Sequence, residues 1–146
     1  MNHLVTLDAQ ASELEKILSG VKTMLAKEFD PAHPSAHPVN PGDALYLLRD
    51  KDDCAIRVKA TVIRTLLITN NLSEEMSQTL KEMQPKLKFT EDQFNHWSVR
   101  QQVLLVEFDS ARKIEAIQIT LDKDTDEFNW IAFRSFSLDT KFGCTT

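Results

Sequence analysis

The chain has 146 residues, of which 42% are hydrophobic and 27% are charged, close to the average of globular proteins, so we exclude wholesale disorder and expect one core. The formal net charge of -5 argues against a broad, non-specific nucleic-acid surface but leaves room for a local basic groove. Because the first residues lack a signal-peptide pattern and no apolar run approaches the roughly 20 residues of a membrane span, we expect a cytoplasmic protein with no membrane partner. Cys54 and Cys144 have no disulfide-framework spacing and are expected to be reduced thiols.

A short strand and a helix are predicted first. Residues 4–7 form a short apolar run with β character. Ser12 and Glu15 then form a capping-box pattern, and apolar residues recur at helical spacing, which predicts a helix from Ser12 to Ser19. We expect Gly20 to end this helix, because glycine takes the left-handed conformation of a helix terminus without strain.

The middle of the chain predicts strands separated by turns. A short strand is expected over Met24–Phe29, and the four prolines of the segment Asp30–Pro41 predict a loop. Another strand is expected over Ala44–Leu48, and the charged residues 50–53 predict a hairpin tip. Apolar residues then alternate with polar ones from Cys54 toward Ile68, which predicts a long, half-buried strand.

The second half predicts two helices and three strands, in this order: a helix over 70–86 limited by Pro85, a short helix opened by the capping box of Thr90 and Gln93, and strands over 103–108, 117–121 and 130–136. Met76, Leu80 and Met83 form an apolar stripe that we assign to the core. Strands outnumber helices and do not alternate with them. We therefore predict an α+β fold, a small mixed, partly closed β-barrel with helices at its ends, in one domain over 1–138 with a C-terminal tail over 139–146.

Two lysines near the end of the first helix are the main candidate for a site. Lys22 follows the predicted helix stop directly, and Lys27 lies five residues further along. If the segment from Met24 is extended, both lysines can reach one cleft, where two ammonium groups would suit a phosphate or another anion. The alternative is that both are solvated surface residues, as most lysines are.

Other candidates are weaker. Trp97 can stack on a base with His96 or Arg100 beside it, or else Phe94 and Trp97 close the end of the barrel. His33 and His37 lie in a proline-rich loop with no further ligand at metal-binding spacing, so no metal site is expected. The chain has three glycines and no phosphate-binding loop, and no cofactor is expected.

The order of several motifs resembles the ASCH family of the PUA-like superfamily. The motifs are Gly20-Val21-Lys22-Thr23, Pro41-Gly42-Asp43-Ala44-Leu45-Tyr46-Leu47, Ala60-Thr61-Val62, and Trp97 ahead of Val103-Leu104-Leu105-Val106-Glu107-Phe108. They match in order and spacing over about residues 4–121. The resemblance implies a small PUA-like barrel with a cleft lined by the lysine of the first motif, Lys22.

The chain departs from the family pattern at two positions. The family has an acidic or hydroxyl residue three positions after the lysine and an arginine five positions after it, where this chain has Leu25 and Lys27. Lys27 keeps the charge but lacks the bidentate guanidinium. One branch of the family hydrolyses the acetyl amide of N4-acetylcytidine with a lysine, a threonine at the position of Leu25 and a distant glutamate, so that reaction is not expected here.

Three functions remain open. The first is a binding module for single-stranded RNA or a nucleotide-like ligand; its candidate ligand contacts are Lys22, Lys27, Thr23, Tyr46, Trp97 and Arg100. The second is a small amidohydrolase or ribonuclease in which Lys22 works with a glutamate such as Glu74 or Glu107. The third is a protein-interaction domain whose cleft is vestigial, as Leu25 would indicate.

Overall fold

The computed structural model describes residues 1–28, 38–50, 55–69, 75–119 and 130–133. Six strands and three helices lie in these ranges, in the order β1 (Asn2–Thr6), α1 (Glu13–Leu18), β2 (Met24–Glu28), β3 (Ala44–Leu48), β4 (Ala55–Thr69), α2 (Glu75–Leu87), α3 (Glu91–Ser98), β5 (Gln102–Gln118) and β6 (Trp130–Phe133). Residues 51–53 of the hairpin tip predicted over 50–53, the start of the helix predicted from residue 70 and the domain boundary at 138 lie outside the described residues.

The described strands form one mixed sheet in the order β2-β5-β4-β3-β1-β6. β1 and β3 are parallel, and every other neighbouring pair is antiparallel. β4 and β5 pair over almost their whole length, with register shifts between Ile56 and Val58, Lys59 and Thr61, and Val62 and Arg64. Such irregularities bend paired strands, and the sheet curls into a half-barrel, which confirms the predicted α+β barrel-like fold.

Two apolar layers lie on the two faces of the sheet at β2. On the interior face, Leu25 packs with residues of β1 and β3 such as Val5 and Leu45, and Ile17 of α1 closes this layer. On the opposite, helix-covered face, Met24 and Leu105 pack against α2 and α3. The predicted stripe lies in this second layer: Met76 and Leu80 are buried and Met83 packs against them. The side chains of Met24 and Leu25 therefore lie on opposite faces of β2, as the alternation of side chains along a strand requires.

The two predicted capping boxes have different outcomes. At α3, Thr90 Oγ1 accepts from the Gln93 amide at 3.2 Å, and Gln93 Oε1 accepts from the Thr90 amide at 3.1 Å, which confirms the box. At α1, the prediction is wrong: Ser12 has a φ of 54° and its side chain makes no capping hydrogen bond. Instead, the backbone amide of Asp8 donates a hydrogen bond to Glu13 Oε1 at 2.7 Å.

Two further boundaries differ from expectation. The first two residues of the strand predicted separately at 117–121 belong to β5, which runs to Gln118, and residues 120–121 lie outside the described part of the chain. Ser110 has a φ of 55° and lies at a register shift, but β4 pairs with β5 on both sides of it, with Thr61 opposite Asp109 and Lys59 opposite Arg112. α2 likewise continues past Pro85 to Leu87. The long strand β4, predicted from its period of two, is confirmed over Ala55–Thr69.

Candidate functional site

The turn that follows α1 has the hydrogen bonds of a Schellman motif. Gly20 has a φ of 83°; its amide donates to the Ile17 carbonyl at 3.0 Å, and the Val21 amide donates to the Lys16 carbonyl at 3.1 Å. A residue with a Cβ is strained at this φ, so glycine is required where the helix ends. The predicted stop at Gly20 is confirmed, and it turns the chain so that Lys22 lies under α2.

The Lys22 ammonium is enclosed by three partners. It donates to the Leu87 carbonyl, lies 3.3 Å from Glu13 Oε2 and sits 5.1 Å from the centre of the Phe89 ring. Lys22 is only 1% exposed, and Glu13 is 8% exposed. Burial lowers the pKa of Lys22, and the Glu13 carboxylate opposes that shift. Lys22 is therefore an internal cation with a carboxylate beside it, not a solvated surface lysine.

The segment around this turn caps the carbonyl end of α2. The Thr23 amide donates to the Lys86 carbonyl at 2.9 Å, and Lys16 Nζ donates to the Lys88 carbonyl at 3.2 Å. Together with Lys22 on Leu87, three donors satisfy carbonyls that a helix end leaves unpaired. Two of them carry positive charge, which the negative end of the helix dipole favours. Lys22 and Thr23 thus fasten α2 to β2.

Lys27 lies in a different environment. Because strand residues alternate between faces, Lys27 shares the interior face with Leu25, whereas Lys22 precedes the strand and points to α2. Lys27 is half-buried, and burial lowers the pKa of its ammonium. Within the described ranges no hydrogen bond or ion pair to this ammonium is found. The structure therefore does not bring Lys22 and Lys27 to one shared group of partners.

A buried polar cluster that the sequence did not predict occupies the interior face of β1. His3 is fully buried; its Nε2 lies 2.9 Å from Asp43 Oδ2, and Trp130 Nε1 donates to its Nδ1 at 3.2 Å. Asp43 Oδ2 also accepts from the Asn40 amide at 2.9 Å. Burial lowers the pKa of His3, and Lys27 is among the charges that depress it further. Asp43, in the Pro41-Gly42-Asp43 turn, was the available signal in the sequence.

The three remaining candidates make contacts of their own. Tyr46 packs against Phe133 with ring centres 5.7 Å apart, beside a separate apolar cluster that contains Leu4 and Leu48. Trp97 packs together with Phe94 against the apolar layer on the helix-covered face. Arg100 reaches the His96 ring at 3.2 Å and Glu28 Oε1 at 3.4 Å.

Among the described residues, Glu13 is the carboxylate beside Lys22, and the predicted Glu107 has other partners. Glu107 binds Arg64 and, at 2.9 Å, Lys86, and these two cations lower its pKa against the opposing effect of burial. Glu74, His33, His37 and both cysteines lie outside the described residues. In the part of the chain that the structure describes, no group of three His, Cys, Asp or Glu side chains could hold a metal ion. None of the described helices is both long and apolar enough to cross a membrane.

The curled mixed sheet with three helices defines the class as a small α+β domain with a barrel-like sheet. Solved structures with the same fold are ASCH from Zymomonas mobilis, with a TM-score of 0.64 and 11% identity over 91% of this chain and 87% of that one, and its tyrosine-to-phenylalanine variant, with a TM-score of 0.64 and 11% identity over 91% and 90%. A serine-to-alanine variant of that protein matches with a TM-score of 0.60 and 10% identity over 80% and 73%. The chain therefore has the ASCH fold, as the motifs predicted. No family model and no curated protein matches the sequence.

Proposed function

We propose that this chain is a binding module of the ASCH-like fold for a nucleotide-like anion, either a free nucleotide or a short stretch of single-stranded RNA. Lys27 supports this proposal. A cation that loses water on the interior face and finds no carboxylate among the described residues favours an anionic partner. A phosphate or a base oxygen on the ligand would supply that partner.

Lys22 has a supporting role in this proposal. Its ammonium is already bonded to Glu13 and Leu87 and is only 1% exposed, so a ligand would reach it only after these contacts break. By holding α2 against β2, Lys22 fixes the strand that presents Lys27. In this proposal Lys22 makes a structural contact, and Lys27 makes the contact with the ligand.

Charge removal at Lys27 tests the proposal. We expect Lys27→Gln to weaken binding of a short single-stranded RNA several-fold and to reduce the slope of log affinity against log salt by about 0.7, the value for one phosphate contact on a single strand. Lys113→Gln is the matched control, because Lys113 is exposed on β5 and also contributes one charge. Equal effects of the two variants on affinity and slope would contradict a site at Lys27. An effect on nucleotide affinity with none on RNA would assign the site to free nucleotides.

The hydrolase alternative is favoured by one observation and opposed by another. It requires a carboxylate within reach of Lys22, and Glu13 supplies one at 3.3 Å. It also requires access for a substrate, and the burial of both side chains opposes that. If the wild-type chain turned over an acylated cytidine and Glu13→Gln lost this activity, the hydrolase would be the correct function and the binding module would be wrong.

The interaction-domain alternative depends on Leu25. Its side chain is 4% exposed and belongs to the interior core, so the position that carries a polar group in the family is filled here by packing. Leu25 thus fills interior space, and Lys27 lies on the same face of β2. A chain that binds neither nucleotide nor RNA would favour this alternative.

A further inference from the structure

The cluster of His3, Asp43 and Trp130 connects three separate parts of the half-barrel. His3 lies on β1, Asp43 lies in the turn before β3, and Trp130 is the first residue of β6. β6 pairs only with β1 among the described strands, and Trp130 is opposite Val5 in that pairing. The side-chain bond from Trp130 to His3 therefore adds to the attachment of the four-residue edge strand β6.

The hydrogen bonds fix the protonation state of the imidazole. An indole nitrogen can only donate, so the bond from Trp130 Nε1 at 3.2 Å requires a bare Nδ1 on His3. The proton of a neutral ring then lies on Nε2, where it is donated to Asp43 Oδ2 at 2.9 Å. The neutral ring thus satisfies the hydrogen bonds of the Trp130 indole, of its own two nitrogens and of the Asp43 carboxylate at once.

A second proton on this ring removes one of the two bonds. If Nδ1 gains a proton from solvent, two N–H groups face each other and the bond to Trp130 is lost, whereas the bond to Asp43 becomes an ion pair. We propose that His3 is a pH-sensitive latch, which holds Trp130 and the edge strand β6 when neutral and releases them when protonated. The change is local because the bonds of β4 with β5 do not involve His3.

The charged groups around His3 come from several elements. Asp43 is its direct partner, and its carboxylate also lies 3.3 Å from the amino group of Met1. The Met1 amino group and Lys27 of β2 oppose a positive charge on the ring, whereas Asp43 favours one. Burial has the largest effect and lowers the pKa of His3, so release is expected on the acid side of its ordinary value of 6.5.

Nuclear magnetic resonance of the full chain tests the latch. The nitrogen shifts of His3 report its tautomer, and the resonance that disappears in Trp130→Phe identifies the Trp130 indole proton. On lowering the pH from about 7.5 to about 5, we expect the exchange protection of this proton to fall by roughly tenfold per pH unit once His3 titrates, while the amides of β4 and β5 stay protected.

His3→Gln is the matched variant, because an amide can accept from Trp130 and donate to Asp43 without titrating. In this variant we expect the protection of the Trp130 indole proton not to change between the two pH values. Three results would overturn the proposal: a bare Nε2 in the wild-type chain, indole protection that does not follow the titration of His3, or loss of protection in β4 and β5 at the same pH as at Trp130. If His3→Gln does not fold, the wild-type measurements decide the question alone.

Discussion

At the scale of single residues, burial of the Lys22 ammonium costs free energy, and its bonding partners offset that cost. A buried ammonium is stable only with partners, and Lys22 has the Glu13 carboxylate and the Leu87 carbonyl. Lys22→Met would fill the space but leave Glu13 buried with its charge unpaired. We expect this variant to lower the free energy of unfolding by about 3 kcal/mol, measured by urea denaturation at neutral pH.

Two controls isolate the effect of the buried pair. Lys81→Met removes an exposed lysine from α2 and should change stability by less than about 0.5 kcal/mol. Adding Glu13→Leu to Lys22→Met should cost less than the sum of the single changes, since residues in direct contact couple by about 0.5–3 kcal/mol. A Lys22→Met variant as stable as Lys81→Met would show that the pair contributes nothing.

At the scale of elements, the two capping boxes allow a direct comparison. The Thr90 side chain caps α3, whereas the Ser12 side chain makes no capping bond at α1. We expect Thr90→Ala to cost about 1 kcal/mol of stability. Ser12→Ala should cost clearly less in the same urea titration, because no capping bond is removed. Equal costs would mean that the hydroxyl of Ser12 forms a cap in solution.

The same comparison shows what a local sequence pattern can predict. Ser12 with Glu15 and Thr90 with Gln93 have the same spacing, and only the second pair forms the box. Near α1, Glu13 is bound by the Asp8 amide and by Lys22, and the second of these contacts depends on how β2 and α2 meet. The apolar periods of β4 and of the α2 stripe were sufficient to predict these two elements, because burial of one face of an element determines such a period. A pattern of residues that are close in sequence cannot predict a contact, such as that of Glu13 with Lys22, that depends on the packing of other elements.

At the scale of the whole molecule, the predicted fold is confirmed, and the two lysines that were predicted to share a cleft lie in different surroundings. The order of the motifs was sufficient for the ASCH fold, since it follows the order of strands and turns. The sequence placed Lys22 and Lys27 in one cleft, but α2 takes up Lys22 through the Leu87 carbonyl. Leu87 is 65 residues further along the chain, so the separation of the two lysines follows from tertiary packing.

The pH dependence of global stability follows from the pKa values of His3 and Asp43. The folded chain holds His3 neutral by burial, with its pKa below 6.5, so the unfolded chain binds the proton first as the pH falls. Stability is therefore complete above pH 6.5 and declines below it until the folded pKa is reached. For one proton, the slope cannot exceed about 1.4 kcal/mol per pH unit.

Asp43 acts in the same direction at lower pH. Burial raises its pKa, but the hydrogen bonds from His3 and the Asn40 amide, with the Met1 amino group, lower it overall below 3.8. Its contribution is present above pH 3.8 and is lost as the pH falls through the folded value. We expect urea titrations to show a decline in stability that begins near pH 6.5 and becomes steeper below pH 3.8. His3→Gln should remove the first part of this decline, and a variant that keeps it would assign the acid sensitivity to groups other than His3.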